Sequence, residues 1–216
     1  MWSVSATVLL AIHITGGVLA LLSGAVAIAV QARHGPHRVH VVAGRCFVVG
    51  MIMVVVAAIP LSVIIHSTLL FLIAVFSGYL MLVGWRLATN RKGAAGAVDW
   101  ALDALMLAGC VAMVVVGALT LAGDGIILLV FGVLGAVLAG GHLRRLRRQP
   151  IRGRERTGDH LQFMIAAFIA AVTAFLVVQG FLGIFGWFLP TIVLTPVIIM
   201  WKRKIAAGAR TTLDAR

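Results

Sequence analysis

Seven histidines and six carboxylates stand out in a chain that otherwise offers few polar side chains. Imidazole binds haem iron and divalent metals and shuttles protons. A carboxylate inside an apolar run is a proton or cation site, or half of an ion pair. His13 lies about ten residues into the first apolar run, on one helical face with Gly17, Ala20, Gly24 and Ala27. Small residues allow close helix approach, so that face is expected to turn inward, most plausibly against the second helix. His13 is then a haem or metal ligand, a proton relay, or a neutral ring bonded to a neighbouring helix. His40 stands ahead of the second run, His142 closes the fifth and His160 opens the sixth. These three belong at similar depth, with Asp103 about one turn further in. Imidazoles from separate helices at one level are what bis-histidine haem or a divalent metal requires. His13 is more than half a membrane away from that level, so one haem held by His13 and His40 is geometrically poor. Two sites, or one site at His40 and His160 beside a structural His13, fit better.

The remaining polar residues divide in the same way. Asp103 is either a proton or charge partner for that site or an ion pair with Arg86 or Arg45. Asp99, nearer the headgroups, is expected to be solvated. His34 and His37 follow the pattern of interfacial histidines. His160 and Met164 fall at i, i+4, a spacing compatible with haem or a soft metal, whereas the other methionines read as packing. Cys46 and Cys110 both lie in apolar stretches, which excludes a disulfide framework and a cysteine-rich metal site.

The elements that position these groups follow from composition. In 216 residues, 62% are hydrophobic and 11% charged, with a mean hydropathy of +1.12. Soluble domains run about 45–50% apolar and about 25% charged. The chain is therefore an integral membrane protein of helical type, in which the backbone satisfies its own hydrogen bonds. Seven runs of spanning length are expected: Val4–Gln31, Arg45–Ile65, Thr68–Leu87, Val98–Leu121, Gly125–His142, His160–Phe181 and Ile184–Met200. Pro60, Pro190 and Pro196 should kink their helices rather than end them. The first run has no basic residues ahead of it and is far longer than a signal-peptide core, so it reads as a span.

Charge placement gives orientation. All 18 basic residues fall on one side of the seven-span order. Short loops obey the positive-inside rule, which puts the amino terminus outside and the carboxyl terminus in the cytoplasm. A basic cytoplasmic loop is expected over about residues 143–159 and a basic tail over 202–216. The net charge of +12 is thereby accounted for by topology and implies no nucleic acid. Anionic lipid headgroups are the expected partners of the loop, at about 1 kcal/mol per basic residue near the surface. The tryptophans Trp2, Trp85, Trp100, Trp187 and Trp201 form an interfacial belt.

The first helix reads HITGGVLALLSGAVA and the second begins HVVAGRCFVVGM. This resembles bacterial multi-pass membrane proteins of the domain-of-unknown-function 2306 type. Their pattern is approximately HxxxGxxALxxGxxA followed by HRxxGRxFxxxM. His13, Gly17, Ala20, Leu21, Gly24 and Ala27 match the first part, and His40, Gly44, Arg45, Phe47 and Met51 the second. Val41 replaces the arginine. The resemblance implies a multi-pass protein of the bacterial cytoplasmic (inner) membrane, carries no activity, and favours His13, His40 and His160 over His142.

Three classes of function follow. One is a redox or electron-transfer protein whose histidines hold haem b or a divalent metal. Another is a transporter or channel for a small solute or for protons. A third is a structural or sensory module without chemistry. A retinal pump is excluded, because Lys92, Lys202 and Lys204 all lie outside the expected spans and a Schiff base needs a lysine within one.

Overall fold

A computed structural model describes residues 4–33, 35–121, 124–148, 150–180 and 182–213, with side chains up to residue 207 in the last helix. Trp2, His34, Phe181 and Arg216, and the side chain of Arg210, lie outside that description. The described residues form seven helices: α1 (Val4–Ala32), α2 (His37–Ile64), α3 (Thr68–Thr89), α4 (Ala97–Leu119), α5 (Gly125–Arg147), α6 (Gly153–Gln179) and α7 (Phe185–Leu213). Each contains a stretch long and apolar enough to cross a membrane, and no strand occurs among them. The protein is a multi-pass helical membrane protein. α2 runs through Pro60, and α7 runs through Pro190 and Pro196.

Several helices outrun their expected ends. α2 starts at His37, directly after Pro36, and not at Arg45. α5 continues to Arg147, α6 begins at Gly153, and α7 passes Met200 to reach Leu213. Most of the expected basic loop is therefore helical, with only a short link between α5 and α6. The apolar runs mark lipid thickness, whereas a helix ends where its backbone and charges cease to find partners.

The chain divides into two compact units. The first comprises residues 1–81 and 165–191. Its centre is the antiparallel α1–α2 pair, packed through Gly16, Ala20, Gly24 and Ala27 on α1. Gly16 and Gly50 meet backbone to backbone: a methyl on Gly50 would lie 2.7 Å from both Ala20 N and Gly16 O. Gly17, expected on this face, has open space where a side chain would project, so Gly16 supplies the close approach instead. Gly24 admits the rings of Phe47 and Phe168, whose centroids are 6.3 Å apart.

The second unit comprises residues 82–164 and 192–216. Here α4 turns Asp99, Asp103, Met106, Cys110, Met113 and Gly117 inward at alternating three- and four-residue spacing, which makes one continuous stripe. α5 answers with Gly125, Gly132, Gly135, Ala139 and His142. Gly132 lies so close to Met113, Val114 and the Cys110 carbonyl that a methyl there would be crowded. In lipid, where burial of apolar surface gains little, such van der Waals contact is what holds helices together.

Candidate functional site

The α4 stripe and the α5 glycines bring Asp103 and His142 together. Asp103 is 0% exposed and His142 2%. His142 Nδ1–H donates to the Asp103 carboxylate, 2.9 and 3.0 Å from its two oxygens. Phe163 of α6, fully buried, sets its ring edge-on to the imidazole, with centroids 5.5 Å apart at 72°. An ion-capable pair enclosed by apolar side chains feels a low dielectric, in which the bond is strong and an unpaired partner is costly. Carboxylate contact at Nδ1 also fixes the ring orientation and directs Nε2 away from Asp103.

Expectations for the carboxylates are corrected here. Asp103 is expected either as a proton or charge partner or in an ion pair with Arg86 or Arg45; the ion-pairing partner it takes is His142. Arg86 instead forks onto Asp99 through Nε and Nη2, the second bond measuring 2.8 Å. Asp99 is not solvated: it is 6% exposed and also accepts the Gly96 N–H at the start of α4. A bidentate guanidinium outcompetes water for a carboxylate so placed.

A further buried carboxylate, Asp159, joins three helices. Its Oδ1 accepts Arg145 Nη1 at 2.6 Å and Lys202 Nζ at 3.2 Å, while Oδ2 is buried without a partner. Lys202, expected beyond the seventh span, thus lies inside α7, and its ammonium also donates to Gln162. The α5–α6 link is tied to the α3–α4 connection. Ile151 N–H donates to Gly93 O at 3.0 Å and Arg152 Nε to Lys92 O at 3.0 Å. Arg156 Nη1 donates to the terminal α3 carbonyls of Leu87 and Ala88, at 2.9 and 3.2 Å. Those carbonyls lack helical partners and carry the negative end of the helix dipole. Beneath this tie is a cleft of about 20 Å³, room for one water, lined by Arg86, Asn90, Asp99, His142 and Arg156 among others.

The favoured histidines have backbone partners. His13 Nδ1 lies 3.1 Å from Val54 O and His40 Nδ1 lies 3.1 Å from Ala27 O, so each reaches across the α1–α2 pair. His160 Nδ1 lies 2.8 Å from Gly84 O, next to Met164, which also packs on Gly84. A carbonyl oxygen only accepts, so Nδ1 carries the hydrogen in all three, and a neutral ring keeps its lone pair on Nε2. His13 and His40 sit at opposite ends of their helix pair, about 21 Å apart along it at 1.5 Å per residue, which excludes one haem between them. His160 belongs to the second unit. Among the described residues no group of three or more His, Cys, Asp or Glu is arranged to hold a metal ion.

From sequence, His142 ranks below His13, His40 and His160 as a site residue, and Arg145 and Asp159 carry no assigned role. His142 is expected about one turn from the depth of Asp103, but depth alone does not give the rotation of α4 and α5 that makes them neighbours. No protein-family model, curated protein or solved structure matches this chain.

Proposed function

We propose that the protein handles protons within the membrane, at the Asp103–His142 pair, as a proton-linked transporter or channel for a small solute. The observation that carries this reading is the pair itself: a carboxylate and an imidazole in direct hydrogen bond, both buried within membrane-spanning helices. An unneeded buried pair costs stability relative to apolar side chains of similar volume, and ionisable groups inside spans mark proton and solute paths. The cleft beside His142 gives the pair a route toward the α3–α4 and α5–α6 connections. Proton uptake by the purified chain in lipid nanodiscs, followed with a pH-indicator dye, tests the reading. Wild type should take up a proton that Asp103→Asn and His142→Gln both lose; the same titration in all three proteins would overturn it.

A second reading, haem b or a divalent metal at His13, His40 and His160 with Asp103 as a charge partner, has one observation in its favour. Histidine ligands usually donate their other ring nitrogen to a carbonyl or carboxylate, and all three rings have a carbonyl at Nδ1. A Soret band or stoichiometric metal in the purified protein, lost on replacement of these histidines, would support it. The motif resemblance, the basic side facing the cytoplasm of a bacterial inner membrane, and anionic lipid around Arg144, Arg147, Arg148 and Arg154 complete the proposal. Those four side chains are exposed and form none of the ion pairs described above.

A further inference from the structure

We infer that the cleft beside His142 binds a small monatomic anion together with the proton, so that the transported or sensed species is an anion of halide size. The inference rests on the proton-handling reading of Asp103–His142 and names its ligand class. Charge accounting around the cleft is the first argument. Arg86 from α3 is matched by Asp99 from α4, and His142 from α5 by Asp103 from α4. Arg156 from α6 has only the Leu87 and Ala88 carbonyls as partners, and no carboxylate lies within ion-pair distance of it among the described residues. Phe163, the other α6 group against the ring, is uncharged. Arg145 on α5 is occupied by Asp159 and Glu155.

With His142 neutral, these charges cancel: Arg86 and Arg156 against Asp99 and Asp103. With His142 protonated, the cleft carries one net positive charge, and Nε2 becomes a second N–H donor alongside the bond to Asp103. Size is the second argument. A volume of about 20 Å³ takes one water or one atomic ion and wholly encloses no carboxylic acid, sugar or phosphate ester. A protonated cleft with the Arg156 guanidinium beside a water-sized hole favours an anion over the water it replaces.

Binding of proton and anion must then be reciprocal. Chloride is the probe, titrated by calorimetry into the full chain in nanodiscs, with gluconate as the bulky control. Chloride affinity should rise as pH falls, by at most tenfold per pH unit for one linked proton, and chloride added to weakly buffered protein should draw protons from solution. Arg156→Gln should weaken chloride at least tenfold, whereas Arg156→Lys, which keeps the charge, should stay within a few-fold of wild type. The exposed Arg154→Gln should bind as wild type does. No chloride binding, pH-independent binding, or equal binding in Arg156→Gln would overturn the inference. Proton uptake measured without chloride separates the two claims. Uptake that depends on Asp103 and His142, without chloride binding, leaves the proton site standing and removes the anion; no such uptake removes both.

Discussion

Gly50 should be intolerant of even one added carbon. In Gly50→Ala the new methyl would stand 2.7 Å from Ala20 N and Gly16 O and 3.1 Å from Ala20 Cα, all backbone atoms of α1 that no side-chain rotation can move. Ordinary contact begins near 3.4 Å, so the two helices must part by about 0.7 Å at their crossing. A gap of that size forfeits a quarter to a half of the dispersion attraction at each displaced contact. Overpacking of this kind costs about 1–3 kcal/mol, and lipid offers no hydrophobic gain to offset it. Gly17→Ala and Gly44→Ala are matched controls on the same two helices, since neither methyl would meet anything within 4 Å. They should be neutral or slightly stabilising, because alanine is the better helix former by about 1 kcal/mol. The assay is reversible unfolding in mixed micelles, read by helical circular dichroism, with the three variants compared at one lipid composition. Equal stability of Gly50→Ala and Gly17→Ala would refute the close backbone crossing.

Removing Arg86 alone should harm the protein more than removing its partner with it. Arg86→Gln strands the nearly buried Asp99 charge, so thermal unfolding in detergent should show a larger loss than in Arg86→Gln/Asp99→Asn, and an equal loss would argue against the fork. His13→Ala and His40→Ala should each cost about 1 kcal/mol in the same unfolding assay, the worth of one hydrogen bond; two silent variants would remove both bonds to Val54 and Ala27. Gly93 has a φ of +68° and a methyl there would strike the Ile151 carbonyl, so Gly93→Ala should free the α5–α6 link and speed its limited proteolysis. An unchanged cleavage rate would refute that tie. Reporter fusions at Gly96 and Arg154 should both read cytoplasm and one at Leu121 the exterior, any reversal breaking the proposed orientation.

What the sequence discloses here is order and depth, and what it hides is rotation. Seven apolar runs and their sequence are legible because lipid imposes one length on every span. Helix ends are not, since α5 and α6 are prolonged by contacts such as Arg145 with Asp159 that apolarity does not record. The inward face of α1 was legible to within one residue: Ala20, Gly24 and Ala27 are buried, while the close contact belongs to Gly16 and not to its neighbour Gly17. Asp103 was recognisable as costly, yet its partner was sought among arginines at helix ends. Coulomb attraction nominates Arg86; a buried stripe aimed at α5 selects His142. Asp99 shows the converse, for a residue near the headgroups can still be enclosed when a guanidinium forks onto it.

The two bonds across the α1–α2 pair have a consequence for motion. His13 on α1 grips Val54 on α2, and His40 on α2 grips Ala27 on α1. The stretch from His13 to Ala27 is as long as the stretch from His40 to Val54, about four helical turns. The hairpin therefore has a local pseudo-twofold axis, with each helix contributing one ring and one carbonyl at mirrored stations. A slide of either helix in either direction breaks both grips at once, and no shorter step keeps one while releasing the other. The acceptors are main-chain oxygens, so no side-chain substitution at Val54 or Ala27 deletes them. A slide within the pair therefore costs both bonds together, about 2 kcal/mol, whereas tilting or rotating α1 and α2 as a body costs neither.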